Sequence, residues 1–162
     1  MTLIVLLVAT LAFRGLGALG VGRFGTWRVS AAHGLAVMLV MTASAHFVPA
    51  GVTFMPNYGD MVAMVPPFVP FPGFVVYLTG VLELAGAAGL VLVRFRRPAG
   101  ICLALLFVGL LPANIYAAIA GTSIASPLVE RIPEQLVYIA IALWAALGAR
   151  SERAVSSVPV AG

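Results

Sequence analysis

The chain has 162 residues, of which 62% are hydrophobic and 9% charged, and its mean hydropathy is +1.13. So little polar surface cannot coat a soluble domain of this length, which leaves an integral membrane protein. The net charge of +4 is not accompanied by a basic stripe interleaved with aromatics, so a nucleic-acid surface is excluded.

A helix of about 20 apolar residues covers the ~30 Å of a bilayer's hydrocarbon. Five runs of that kind lie at 2–22, 29–48, 73–93, 98–119 and 133–149. They predict an all-α bundle of five antiparallel spans in residues 1–149, with a disordered, solvent-exposed tail at 150–162. The first run has no basic n-region and no clear small-x-small cleavage site, so it reads as a retained span rather than a signal peptide.

Arginine placement sets the expected orientation. Arg23 and Arg28 follow span 1, Arg94, Arg96 and Arg97 follow span 3, and Arg150 and Arg153 follow span 5, whereas the opposite side carries only Arg131. The positive-inside rule then puts the N-terminus outside and the C-terminus in the cytoplasm, with acidic headgroups as incidental cytoplasmic contacts.

Several chemistries are excluded by residue count. Cys102 is the only cysteine and falls inside span 4, so one chain cannot run a dithiol cycle or build a thiolate metal site. His33 and His46 stand at opposite ends of span 2 and cannot share a metal ion; no metal site is expected, and His33 reads as structural.

The connections differ in kind. Those bearing arginines are short, making spans 1 and 2, and spans 3 and 4, antiparallel neighbours. Segment 49–72 instead holds Pro49, Pro56, Pro66, Pro67, Pro70 and Pro72, yet is apolar over 61–74. Proline at that density excludes a helix, and the apolar side chains are poorly suited to water. The segment reads either as an interfacial cap folded over the outer end of the bundle or as a loop lying on lipid headgroups. Tyr58, Phe71, Tyr77 and Tyr116 near this side fit an interfacial aromatic belt.

Glu83 lies within an otherwise apolar run, where hydrocarbon gives its charge no solvation; it must be paired, protonated or facing a polar cavity. By helical rise it sits ~15 Å deep, while His46, Asn114 and Gln135 sit ~3 to 7 Å below the same outer boundary. Thr79, Gly80, Gly86 and Ala87 surround Glu83 on its helix face, Thr42 and Ala43 flank His46, and Ala117 and Ala118 flank Asn114. Such small faces pack on other helices, so all four polar groups point inward. Pro112 frees the Val108 carbonyl just below Asn114. An outward-opening funnel lined by Glu83, His46, Asn114 and Gln135, with Tyr116 nearby, is the candidate ligand site. Individually, His46 reads equally as an interfacial hydrogen-bonder, Asn114 as a partner for freed carbonyls, and Gln135 as a helix-start residue beside Pro133 and Glu134. Arg14 falls ~18 Å from the outer boundary, close to the depth of Glu83. It either pairs with that carboxylate or snorkels to the cytoplasmic face past Gly15 and Gly17.

Four segments in order, Ser44-Ala45-His46-Phe47, Met64-Val65-Pro66-Pro67, Tyr77-Leu78-Thr79-Gly80-Val81-Leu82-Glu83-Leu84 and Pro112-Ala113-Asn114-Ile115-Tyr116, resemble the DoxX-like family of small bacterial membrane proteins. The resemblance covers roughly residues 30–145, a four-helix core to which span 1 is an addition. It implies a multi-pass protein of the bacterial inner membrane, associated with oxidoreductase systems, some of them quinone-linked. A similar helix arrangement in sterol isomerase and sigma-2-like proteins implies a lipophilic ligand held by intramembrane carboxylates. That idea carries over to Glu83 and, beside it, His46 and Asn114. The second acidic residue of such isomerases has no counterpart, since Asp60 lies in the cap and Glu130 and Glu134 lie outside the spans.

Two functions follow. The bundle binds a quinone, isoprenoid or sterol-like lipid, with Glu83 and His46 handling protons and any redox cofactor a diffusible quinone rather than an intrinsic group. Alternatively, it is a non-catalytic subunit or assembly factor that docks a membrane or redox protein partner through its small-residue helix faces.

Overall fold

The structure, a computed structural model, describes residues 1–122 and 124–156. They form six α-helices and no strand: α1 (Thr2–Ala18), α2 (Trp27–Ser44), α3 (Tyr58–Ala63), α4 (Pro72–Val91), α5 (Arg96–Ala120) and α6 (Leu128–Ser156). The all-helical class expected from the apolar runs is therefore observed. Helices α4 and α5 are each long and apolar enough to cross a membrane, and α1 is apolar over 17 residues.

Local chemistry explains most boundaries. Thr26 caps α2 by accepting from the Val29 N–H at 3.3 Å. Pro72 opens α4 where its missing N–H costs nothing. Gly121, at φ +65°, ends α5 in the left-handed conformation. Pro112 and Pro133 both lie inside helices, where each deletes one backbone hydrogen bond without ending the helix.

Three boundaries differ from expectation. Helix α1 stops at Ala18, because Gly20 at φ +100° turns the chain into a short 3-10 turn at Gly22–Phe24. Helix α6 passes residue 149 and runs to Ser156 through Arg, Glu and Ala, all good helix formers; the remainder of the expected disordered tail lies outside the described residues. The proline-rich segment also contains a helix, α3, in the proline-free stretch between Pro56 and Pro66. Asn57 accepts from the Gly59 and Asp60 amides, while Asp60 accepts from the Asn57 amide, forming a capping box.

Helices α2, α4, α5 and α6 form a closed ring in which each packs on two neighbours, and α1 lies outside it against α2. The core comprises Leu35, Leu39, Leu90, Leu103, Phe107 and Tyr138, with Leu6 inserted from α1. Small residues let the helices approach. A Cβ at Gly100 of α5 would collide with the Ala142 carbonyl of α6 and stand 2.9 Å from the Ala146 Cβ. The outward surface is apolar, with Val8, Leu11, Val81, Leu105 and Leu147 all exposed, which suits hydrocarbon rather than water.

One end of the ring is arginine-rich. Arg23 donates from Nη2 to the Val91 carbonyl and Arg96 from Nε to the Leu90 carbonyl, both at 2.8 Å, capping the last turn of α4.

Gly100→Ala is expected to lower stability by about 1–3 kcal/mol, because the intruding methyl meets backbone rather than a movable side chain. Gly15→Ala, whose methyl would meet nothing within 4 Å, is expected to be neutral or stabilising by up to about 1 kcal/mol. Thermal unfolding of both variants in one detergent checks the contrast.

Candidate functional site

At the end of the ring opposite the arginines, the helices splay around a cavity of about 660 Å³. Its walls come from the end of α2, the first half of α4, the last half of α5 and the start of α6, and Met61, Met64 and Pro66 of segment 49–72 close it above. That segment is pinned by the Tyr58 amide, which donates to the Val48 carbonyl at 2.9 Å. It is also held by the Tyr58 ring, stacked on Tyr77 of α4 at 4.6 Å. The lining is mostly apolar. It includes every methionine of the chain, Met1, Met38, Met41, Met55, Met61 and Met64, whose unbranched, polarisable side chains adapt to ligands of different shape.

Two polar clusters interrupt this surface. On the α2/α4 side, Glu83 is buried, and its Oε2 accepts from the Thr42 hydroxyl at 3.2 Å. His46 Nε2 stands 3.8 Å from Glu83 Oε1. The other ring nitrogen, Nδ1, lies 2.7 Å from the Val76 carbonyl, an acceptor, so Nδ1 carries a proton and donates. Gly80 makes this approach possible, since a Cβ there would stand 2.6 Å from the His46 Cβ. Thr79, one helix turn before Glu83, donates to the Val75 and Val76 carbonyls and holds the same surface.

On the α5/α6 side, Asn114 Oδ1 accepts from Arg131 Nε at 3.1 Å and from Nη2 at 2.7 Å, a forked arrangement that fixes the guanidinium in the cavity wall. Arg131 Nη1 is 3.7 Å from Glu134 Oε2. Gln135 is 3% exposed, and its Oε1 is buried without a hydrogen-bond partner. An unmet acceptor of this kind costs about 1–3 kcal/mol. The Tyr138 hydroxyl donates to Thr2 Oγ1 at 2.8 Å, tying the start of α1 to the cavity floor.

The structure thus brings Glu83, His46, Asn114 and Gln135 into the lining of one cavity, on two of its sides. Tyr116 does not line it: two residues beyond Asn114 on α5, it is turned about 200° around the helix. Nor does Arg14 pair with Glu83. It lies on α1, outside the ring, and its guanidinium stands 5.6 Å from the Trp27 ring at the arginine-rich end. Asn114 binds Arg131 rather than a carbonyl freed by Pro112. His33 is remote from the cavity; its Nδ1 lies 2.7 Å from the Val29 carbonyl and its ring packs between Phe13 and Phe24. Sequence reasoning missed Arg131, Thr42, Thr79 and Tyr138 as lining groups. Arg131 had a usable signal, as the one basic residue on the side facing away from the other arginines. Among the described residues, no three His, Cys, Asp or Glu side chains are placed to hold a metal ion.

Residues 35–146 match the model of a family described as Domain of unknown function (DUF8561). That stretch contains nearly all of the ring and the cavity's polar groups, and excludes α1. No curated protein matches the chain, and no solved structure does.

Asn114→Leu, which strips Arg131 of its forked acceptor, is expected to lower stability by about 1.5–3 kcal/mol. Gly80→Ala is expected to cost about 1–3 kcal/mol by forcing His46 away from α4. Denaturant titration in a single detergent gives both values.

Proposed function

We propose that this chain, which belongs to the DUF8561 family, is a five-span, DoxX-like protein of the bacterial inner membrane that binds a lipophilic small molecule in its outer cavity. The observation that carries the reading is Glu83: a buried carboxylate in an apolar helix, facing a mostly apolar cavity of about 660 Å³ rather than an ion pair with Arg14. A cavity of that volume suits a drug-sized or short lipid ligand, with the polar clusters orienting one end of it. Quinones, isoprenoids and sterol-like lipids all have that form.

Topology follows the same reading. Helices α1, α2, α4, α5 and α6 are the five spans, and the arginine-rich end faces the cytoplasm, which opens the cavity toward the outer leaflet. The closed ring of α2, α4, α5 and α6, with α1 outside, supports the division into a four-helix core and an added N-terminal helix.

The chemistry available is proton handling. Glu83 Oε1 and His46 Nε2 lie 3.8 Å apart in the cavity lining, so a ligand group seated against both can give up or take a proton as the ligand is oxidised or reduced. Electrons would come from a partner or from the ligand itself, with a diffusible quinone as the natural carrier and membership of an oxidoreductase system as the setting.

Native mass spectrometry with lipid extraction, comparing wild type and Glu83→Gln, tests the reading. Wild type is expected to retain a quinone, isoprenoid or related lipid, and the variant to lose at least about tenfold in occupancy, the loss expected for removing a charged hydrogen-bonding group. Bulk phospholipid alone in both would move the function to a non-catalytic subunit or assembly factor.

A further inference from the structure

The two groups that face each other across the cavity's inner wall have complementary defects. His46 Nδ1 is committed to the Val76 carbonyl at 2.7 Å, so in the neutral ring Nε2 holds a lone pair and no hydrogen. Glu83 Oε1 is 3.8 Å away, beyond hydrogen-bond length, and its sister oxygen Oε2 already accepts from Thr42. Neither Nε2 nor Oε1 has a hydrogen-bond partner in the protein, yet neither is sealed from the surroundings, and both residues line the cavity. With Glu83 ionised, the wall therefore presents two adjacent acceptor atoms, both within reach of one donor seated beside them in the cavity.

We propose that the cavity selects its ligand by a hydroxyl head, taking a lipophilic alcohol or phenol whose oxygen seats against both His46 Nε2 and Glu83 Oε1 and donates its one hydrogen to this pair. This rests on the reading that the cavity holds a lipophilic ligand and names the chemical class of that ligand. A carbonyl head offers only acceptors and would face the Nε2 lone pair. A carboxylate head would face Glu83, and an ammonium head would share the cavity with the Arg131 guanidinium, held in place by Asn114. A neutral hydroxyl incurs neither repulsion and supplies the missing donor. The methionine-rich remainder of the lining accepts the apolar body without demanding one shape. For a ligand that exists in both redox forms, the same wall favours the reduced, hydroxyl-bearing form.

Equilibrium binding of tritiated farnesol and farnesal to the full chain in nanodiscs, with empty nanodiscs subtracted for partitioning, tests this. The two probes share one isoprenoid chain and differ in an alcohol against an aldehyde. Farnesol is expected to bind about tenfold or more tightly than farnesal, because the aldehyde leaves the acceptors unmet. His46→Leu, which removes one of the two acceptors, is expected to move that ratio toward one; should the variant fail to fold, the wild-type ratio alone decides. Equal affinity for the two probes in wild type overturns the hydroxyl preference and leaves the ligand cavity standing. Saturable binding of neither overturns both.

Discussion

The carboxylate of Glu83 is the constraint around which the rest of the bundle is arranged. Placing it within an apolar helix costs several kcal/mol if it is charged and unpartnered, about as much as the whole margin by which many proteins stay folded. The fold offsets part of this by bringing the last turns of α2 against α4, so that the Thr42 hydroxyl donates to the carboxylate, with the His46 ring beside it just past the end of α2. That contact in turn requires Gly80, since any side chain there would occupy the space of the His46 Cβ. One glycine, one threonine and one histidine are thus placed around a single buried acid, and on the far side of the cavity the Arg131–Asn114 bonds tie α6 to α5.

The two ends of the bundle divide the work. At one end, arginines cap α4 through the Leu90 and Val91 carbonyls, and the small residues Gly86, Gly89 and Gly100 allow dense packing. At the other, the helices splay, methionines replace close-packed aliphatic residues, and a proline-rich segment with its own short helix covers the opening. A densely packed base and an open mouth suit the proposed binding function, in which the polar groups would be fixed while the apolar lining adapts.

Much of this was legible in the sequence, for identifiable reasons. Apolar run length gave the helices, because backbone satisfaction in hydrocarbon leaves few alternatives. Depth counting along each helix placed Glu83, His46, Asn114 and Gln135 near one end, and small neighbours turned them inward; the structure puts all four in one lining. What depth counting could not supply was rotation and lateral order. Tyr116 shares its depth with Asn114 but faces elsewhere, and Arg14 shares its depth with Glu83 but sits on a helix outside the ring. Helix α3 escaped notice because six prolines dominate the segment, while the capping box that starts it is a local pattern of only four residues.

Arg131 carries the most consequence among the residues that depth alone did not reveal. A guanidinium in an apolar wall needs acceptors, and it has two kinds: the forked amide oxygen of Asn114 and the nearby carboxylate of Glu134. That commitment makes the α5/α6 wall a fixed positive surface opposite a wall of acceptors on α2 and α4. A ligand head entering between them meets a field across the cavity rather than a uniformly polar patch, and a small dipolar group aligns with such a field at no cost in net charge. The same field disfavours either sign of full charge at the head. Under the proposed ligand-binding function, an apolar body with a neutral, oriented polar end is therefore what this pair of walls would favour.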